Sequence, residues 1–200
     1  MNFYKISTKS YKIILATSSE TRIQYFKTIC SNFSSEKHLI NEDDFKKEKL
    51  SPGLLAAKLA KLKSLSLKKK YPMDMIIGSD QVLVCGNKIM SKPKSMEEAK
   101  QNLVFLKNKI HTLYSSIHVI KKSVFFFEQV KAAEIYFKDI PNRILDNYVK
   151  NNKATVLSTV GSYKIEDNNK FNFIEVKSGD KETILGFPLE DFLKELSRNE

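Results

Sequence analysis

Lys12-Ile-Ile-Leu-Ala-Thr-Ser-Ser19 is the stretch on which the fold class turns. Its apolar run, residues 13–16, reads as a short buried strand, and Thr17, Ser18 and Ser19 behind it are helix N-cap chemistry. A strand therefore runs directly into a helix, whose one face carries Ile23, Phe26 and Ile29 with Arg22 and Gln24 off it. The same alternation continues along the chain. Residues 31–50 are polar and read as a loop with irregular strand, and Pro52 then opens a long amphipathic helix through Leu55, Leu59 and Leu62 to Lys70. Met75-Ile-Ile-Gly-Ser79 and Gln81-Val-Leu-Val-Cys85 read as two buried strand segments on either side of Asp80, with Gly86-Asn87 turning the chain into Lys88-Ile-Met90.

Ser95-Met-Glu-Glu98 is a capping box that starts a helix reaching Lys109. Residues 111–121 and 123–138 alternate or run apolar as a β-hairpin, and Pro141 opens a helix ended by Asn151-Asn-Lys153. A turn at Gly161, a strand over residues 170–177 and a terminal helix with Leu189, Phe192, Leu193 and Leu196 complete the chain. Strands interleaved with helices, without an internal repeat or linker, predict one α/β domain with a mixed sheet.

Composition bounds the function. At 200 residues, 42% of them hydrophobic, folding buries roughly 70% of the chain's surface, so no staple of disulfides or metal is required. Cys30 and Cys85 stand far apart, which excludes a disulfide framework and a zinc ribbon and suits a reducing compartment. No signal-peptide pattern or apolar run of about 20 residues occurs, so the expectation is a soluble, cytoplasmic protein with no membrane partner. The net charge of +11 suggests phosphate binding, yet only Arg22, Arg143 and Arg198 among 34 basic residues are arginine. Arginine is the residue of bidentate phosphate and base recognition, so a dedicated nucleic-acid partner is not expected. The lysine field still attracts an anionic small molecule.

No GxGxxG, P-loop or HExxH pattern occurs, and His38, His111 and His118 lack metal-ligand spacing. Asp80, between Ile76-Ile77 and Val82-Leu83-Val84, is either paired, used as a base or metal ligand, or a strand-end turn cap. Ser18 or Ser19 with Arg22 forms a phosphate cradle at a helix N-terminus, or a plain cap beside a solvent arginine. Lys92-Pro93 is a rigid lysine, Asp43-Asp44 a candidate carboxylate for a divalent ion, and His111 a structural histidine on an alternating strand.

Taken in order, Leu15-Ala-Thr-Ser-Ser-Glu-Thr-Arg22, Asp43-Asp44, Leu59-Ala-Lys-Leu-Lys63, Ile76-Ile-Gly-Ser-Asp-Gln-Val82, Ser91-Lys-Pro93, His111-Thr-Leu-Tyr114, Gly161-Ser-Tyr-Lys-Ile-Glu166 and Gly186-Phe-Pro-Leu189 resemble the Maf family over residues 12–196, leaving 1–11 as an N-terminal extension. The resemblance implies an elongated mixed β-sheet with a cleft between two lobes. It implies a nucleoside triphosphate pyrophosphatase that cleaves between the α and β phosphates with a divalent cation, Mg or Mn, often as a homodimer. By the same resemblance Asp80 is the catalytic proton acceptor and a metal ligand, Asp44 a second metal carboxylate, and Ser19, Arg22, Lys63 and Lys92 the phosphate-binding set. Gln81 and Glu166 look like the branch acting on 7-methyl-GTP, where a glutamate favours the cationic base; the other branch acts on dTTP and UTP. Thr21 stands where the first branch has a tryptophan, Glu20 where the family has proline, Ile23 a second arginine, Leu62 a glutamate and Ser91 a glycine. A non-catalytic nucleotide-binding regulator of cell division is the alternative.

Overall fold

The computed structural model describes residues 11–46 and 48–199. The chain starts with strand β1 (Ile13–Ala16), helix α1 (Glu20–Lys27), strand β2 (Phe33–Glu36), the short α2 (Asp43–Lys46) and the long α3 (Pro52–Ser66). Strand β3 (Met75–Cys85), β4 (Lys88–Met90), α4 (Met96–Leu106) and the long hairpin β5 (Lys109–Lys121) and β6 (Val124–Phe137) follow. The last third holds α5 (Asn142–Asn151), α6 (Lys153–Ser158), a 3-10 turn (Ile165–Asp167), α7 (Asn168–Phe171), β7 (Ile174–Ser178), α8 (Lys181–Ile184) and α9 (Glu190–Arg198). Of the expected N-terminal extension, residues 1–10 lie outside the described residues, and Tyr11 is buried in the core.

Local chemistry sets several starts. At α4, Ser95 Oγ accepts from the Glu98 amide at 3.1 Å while Glu98 Oε2 accepts from the Lys94 amide at 2.8 Å, so both ends of the first turn are satisfied reciprocally. Pro52 opens α3 with its φ already helical and no amide to leave unpaired. Two expectations shift. Met75–Cys85 is one eleven-residue strand running through Asp80, because β5 pairs with it continuously from Met75 to Val84. The helix after Pro141 ends at Asn151 as expected, with the short α6 following from Lys153, but the last strand begins at Ile174, since residues 168–171 coil into α7.

The sheet order is β2-β1-β3-β5-β6-β7, with β4 on β3. β1 lies parallel to β2 and β3, and the remaining pairs are antiparallel. On one edge of β3, β1 covers Met75 to Gly78 and β4 covers Leu83 to Cys85. Among the described residues, Ser79 to Val82 therefore have no strand beside them on that edge, and the notch holds Asp80. Two cores flank it: one gathers Phe26, Phe187 and Phe192 around β1, α1 and α9, the other Phe137, Leu145, Tyr148 and Phe173 around α4, α5 and β7. These are the two lobes, and no helix among the described residues is long and apolar enough to cross a membrane.

Candidate active site

Helix α3 lies across β3 at a glycine. A Cβ on Gly78 would stand 2.2 Å from the Ala60 carbonyl oxygen and 2.6 Å from the Ser64 amide, so only glycine lets the helix backbone come this close. The approach brings Lys63 over the notch, where its Nζ donates to Asp80 Oδ1 at 2.5 Å. Both side chains are nearly sealed, at 6% and 8% exposure. Burial pushes the Asp80 carboxyl up from its ordinary value, against the pull of Lys63 and Arg22.

Arg22 enters from the first turn of α1. Its Nη1 donates to the Ser79 carbonyl oxygen at 3.0 Å, which satisfies a β3 group that has no strand partner on the notch side. Burial lowers the pKa of this guanidinium while Asp80 and Glu42 hold it up. Ser19 caps α1 through its backbone, with φ −73° and ψ 111°, but its hydroxyl makes no capping bond. Its amide donates to Thr17 Oγ1 at 3.1 Å. The first turn of α1, which carries Arg22, begins at Ser19, and a helix start offers an anion free amide donors and the helix dipole. Lys92, in the loop after β4, is exposed as a residue, yet its ammonium feels Arg22, Lys63, Glu42 and Asp80. Surrounding protein and then the two neighbouring cations lower its pKa.

The acidic side chain that reaches this cluster is Glu42, where the sequence suggested Asp44. Glu42 Oε1 lies 2.8 Å from Lys63 Nζ, so one ammonium bridges two carboxylates. Asp44 is exposed, and its Oδ1 accepts from Asn41 Nδ2 at 3.0 Å. One residue per 1.5 Å of helical rise, with a 100° rotation, separates neighbours in such a turn, so an offset of two turns a side chain to the far face. Among the described residues no group of three or more acidic, histidine or cysteine side chains converges. The donor set is two carboxylates, which suits a cation completed by substrate oxygens and not a cage made by protein alone.

Thr21 and Glu166 lie on one pocket. They line a pocket of about 280 Å³ with Glu20, Gln24, Tyr25, Lys164, Lys181 and Leu185, one residue along α1 from Arg22. Tyr25, one helical turn after Thr21, supplies an aromatic wall that the sequence reading did not name. Its hydroxyl donates to Glu182 Oε1 at 2.5 Å, and Glu182 Oε2 accepts from the Leu189 and Glu190 amides at the start of α9. Gln81 faces inward instead: its Nε2 donates to Ser115 Oγ and to the Thr183 and Ile184 carbonyls, each at 3.0 Å. It ties the α8 segment to β3. Gly186, at φ 80°, closes that segment over the notch, where a Cβ would lie 3.0 Å from Arg22 Nη2 and 3.3 Å from Gln81.

His111 is structural, as its alternating strand suggested. It is 1% exposed, and its Nε2 lies 2.6 Å from the Tyr163 hydroxyl in the core beneath the loop that carries Glu166.

A nucleoside triphosphate pyrophosphatase of Pelagibacter ubique is 30% identical over 190 residues, covering 92% of this chain and 97% of that protein. A 7-methyl-GTP pyrophosphatase of Bartonella henselae is 29% identical, with 88% and 90% covered, and a dTTP/UTP pyrophosphatase of Thermotoga maritima is 33% identical, with 89% and 84% covered. The fold is similar to that of the solved HAM1 protein from Coxiella burnetii, with a TM-score of 0.51 at 13% identity over 94% of this chain and 99% of that one. The model of the Maf-like proteins matches residues 12–199, the span that contains every residue of the notch and its pocket, and the chain belongs to the Maf family.

Proposed function

We propose that the notch hydrolyses the α–β phosphate bond of a nucleoside triphosphate, 7-methyl-GTP above others, to the monophosphate and pyrophosphate. The observation that carries this reading is the pairing of buried Asp80 with Lys63 at 2.5 Å in the gap along the β3 edge, with Arg22 beside it. Burial raises the pKa of this carboxyl while the ammonium and guanidinium pull it down, and a carboxylate made more basic by burial is suited to the role of general base. Asp80 takes a proton from water as the water oxygen bonds to the α-phosphorus. The bond from that phosphorus to the bridging oxygen breaks, and pyrophosphate leaves with the electron pair. Arg22, Lys92 and the first-turn amides of α1, with Ser19, hold the phosphates and offset the charge that grows on the leaving group. A divalent cation, Mg or Mn, held by Asp80 and Glu42 supplies charge neutralisation on the phosphate oxygens when bound.

For the base, Glu20 and Glu166 bring two carboxylates to a pocket walled by Tyr25, which suits a purine carrying positive charge. Lys164 and Lys181 in the same pocket favour a second reading, a neutral base as in dTTP or UTP. Pyrophosphate release from 7-methyl-GTP, GTP, dTTP, UTP and CTP with magnesium or manganese, for the native chain and Asp80→Asn, decides between them. The first reading requires 7-methyl-GTP to lead and Asp80→Asn to be inactive. A leading pyrimidine nucleotide overturns the base assignment alone. Turnover that survives in Asp80→Asn overturns the mechanism, and no turnover with either metal leaves a non-catalytic nucleotide-binding regulator.

A further inference from the structure

His38 stands between β2 and α2, in a segment with no periodic pattern, and its side chain is 12% exposed. Its Nε2 approaches Glu42 Oε1 at 3.3 Å, the same oxygen that lies 2.8 Å from Lys63 Nζ. The other ring nitrogen, Nδ1, is sealed from solvent with no hydrogen-bond partner. A neutral imidazole carries one N–H, and two facts decide where it sits. A nitrogen facing a carboxylate oxygen is stable only as a donor, and a buried N–H without an acceptor costs more than a buried lone pair. The proton is therefore assigned to Nε2, the ring nitrogen 3.3 Å from Glu42 Oε1. Two nitrogens from different elements, the segment after β2 and the last turn of α3, converge on one carboxylate oxygen.

We propose that His38 is a positioning residue for the reaction: by donating from Nε2 it holds Glu42 against Lys63, and so fixes the second carboxylate relative to Asp80. This rests on the reading of the notch as the hydrolytic site. The structural consequence is a relay of contacts, His38 to Glu42 to Lys63 to Asp80, in which Lys63 is shared by the two carboxylates. Without the imidazole, Glu42 Oε1 keeps the Lys63 ammonium and loses the nitrogen on its other side, at the place where a divalent cation needs a fixed oxygen. Outer partners of a metal carboxylate act in this way, and removing them typically weakens cation binding about 10–100-fold.

The geometry makes the test selective. Glutamine places its amide nitrogen near the position of Nε2, whereas asparagine mimics Nδ1, the nitrogen that faces nothing. The experiment compares native protein with His38→Gln, His38→Asn, His38→Leu and Asp80→Asn. Binding of Mn2+ alone is measured by titration without nucleotide, and kcat and KM are measured at saturating Mn2+. Two-bond nitrogen–proton correlation spectra of the native protein report the His38 tautomer. The expected result is an Nε2-protonated ring, Mn2+ affinity reduced about 10–100-fold in His38→Leu and His38→Asn, and recovery to within about threefold in His38→Gln. The loss of kcat is expected to shrink as Mn2+ saturates, with nucleotide KM little changed. A ring protonated on Nδ1, equal rescue by asparagine and glutamine, or native Mn2+ affinity in His38→Leu overturns the proposal. Failure of the hydrolytic reading has a separate signature, since Asp80→Asn would then turn over like the native protein.

Discussion

Lys63 and Asp80, seventeen positions apart, form a buried ion pair at 2.5 Å that exists only because α3 crosses β3 directly over Gly78. Removing the ammonium leaves Asp80 buried beside Glu42 without the cation they share. Lys63→Met is expected to abolish turnover and to cost about 3–5 kcal/mol of stability at pH 8. The Asp80 carboxyl is raised by burial even in the native protein, and losing Lys63 raises it further. A carboxyl whose folded pKa lies above its unfolded value favours the fold below the unfolded pKa, and that contribution is lost as pH rises through the folded pKa. The stability deficit of Lys63→Met should therefore narrow from pH 8 to pH 5. Thermal unfolding at the two pH values measures it, and a deficit that is the same at both refutes the account.

Gly78→Ala tests the crossing itself. A methyl group 2.2 Å from one helix carbonyl and 2.6 Å from a helix amide cannot be absorbed by a side-chain rotation, so α3 must lift. The expected cost is about 1–3 kcal/mol or more, with kcat reduced at least tenfold as Lys63 leaves Asp80. Chemical denaturation and steady-state kinetics on one preparation read both effects.

Tyr25 separates an aromatic role from a polar one. Its ring lines the pocket and its hydroxyl is committed to Glu182. Tyr25→Phe keeps the ring, so nucleotide KM should stay within about threefold, whereas Tyr25→Leu should raise KM about tenfold with kcat little changed. Equal KM values for the two variants would show that the base does not use the ring. Glu166→Gln in the same assay should lower the ratio of 7-methyl-GTP to GTP turnover, because the carboxylate charge is what distinguishes the methylated base.

His111 predicts an acid-side loss of stability. Burial pushes its pKa down to about 4, below the ordinary histidine range. The unfolded chain takes up a proton at this residue below about pH 6.5 while the folded one does not. The stabilisation is thus complete above that pH and is lost as pH falls through the folded pKa, by roughly 3 kcal/mol in total. His111→Phe should unfold with a shallower dependence on pH between about 6.5 and 4. Denaturation midpoints across that window give the slope for each protein.

Much of the fold was legible because apolar periodicity and end signals are local. The β1–α1 junction, the capping box at Ser95 and Glu98, proline at the start of α3 and the long hairpin follow from residues within a few positions of one another. Asp80 was legible for a similar reason, since an acid amid Ile76, Ile77, Val82 and Leu83 requires a partner wherever the strand goes. The division of residues 75–85 into two segments did not survive, because continuity there comes from pairing with β5, whose partners run from Thr112 to Lys121, far along the chain.

Around the site, the chain alone determined which residue types were available: a base in an apolar strand, cations at Arg22, Lys63 and Lys92, and an acidic turn at residues 42–44. Only the tertiary structure decided which acid faces Lys63, that His38 stands behind it, that Tyr25 lines the pocket one turn from Thr21, and that Gln81 is spent on tying α8 to β3. The reason is geometric. Periodicity tells which side of an element is buried, but the segment from residue 37 to residue 42 has no period, and a shift of one or two positions there exchanges Glu42 for Asp44. The segment is held by α3, where the Leu39 amide donates to Ser66 Oγ at 3.2 Å and Ile40 packs against the cluster of Leu55 and Leu59, through contacts whose partners lie far apart along the chain.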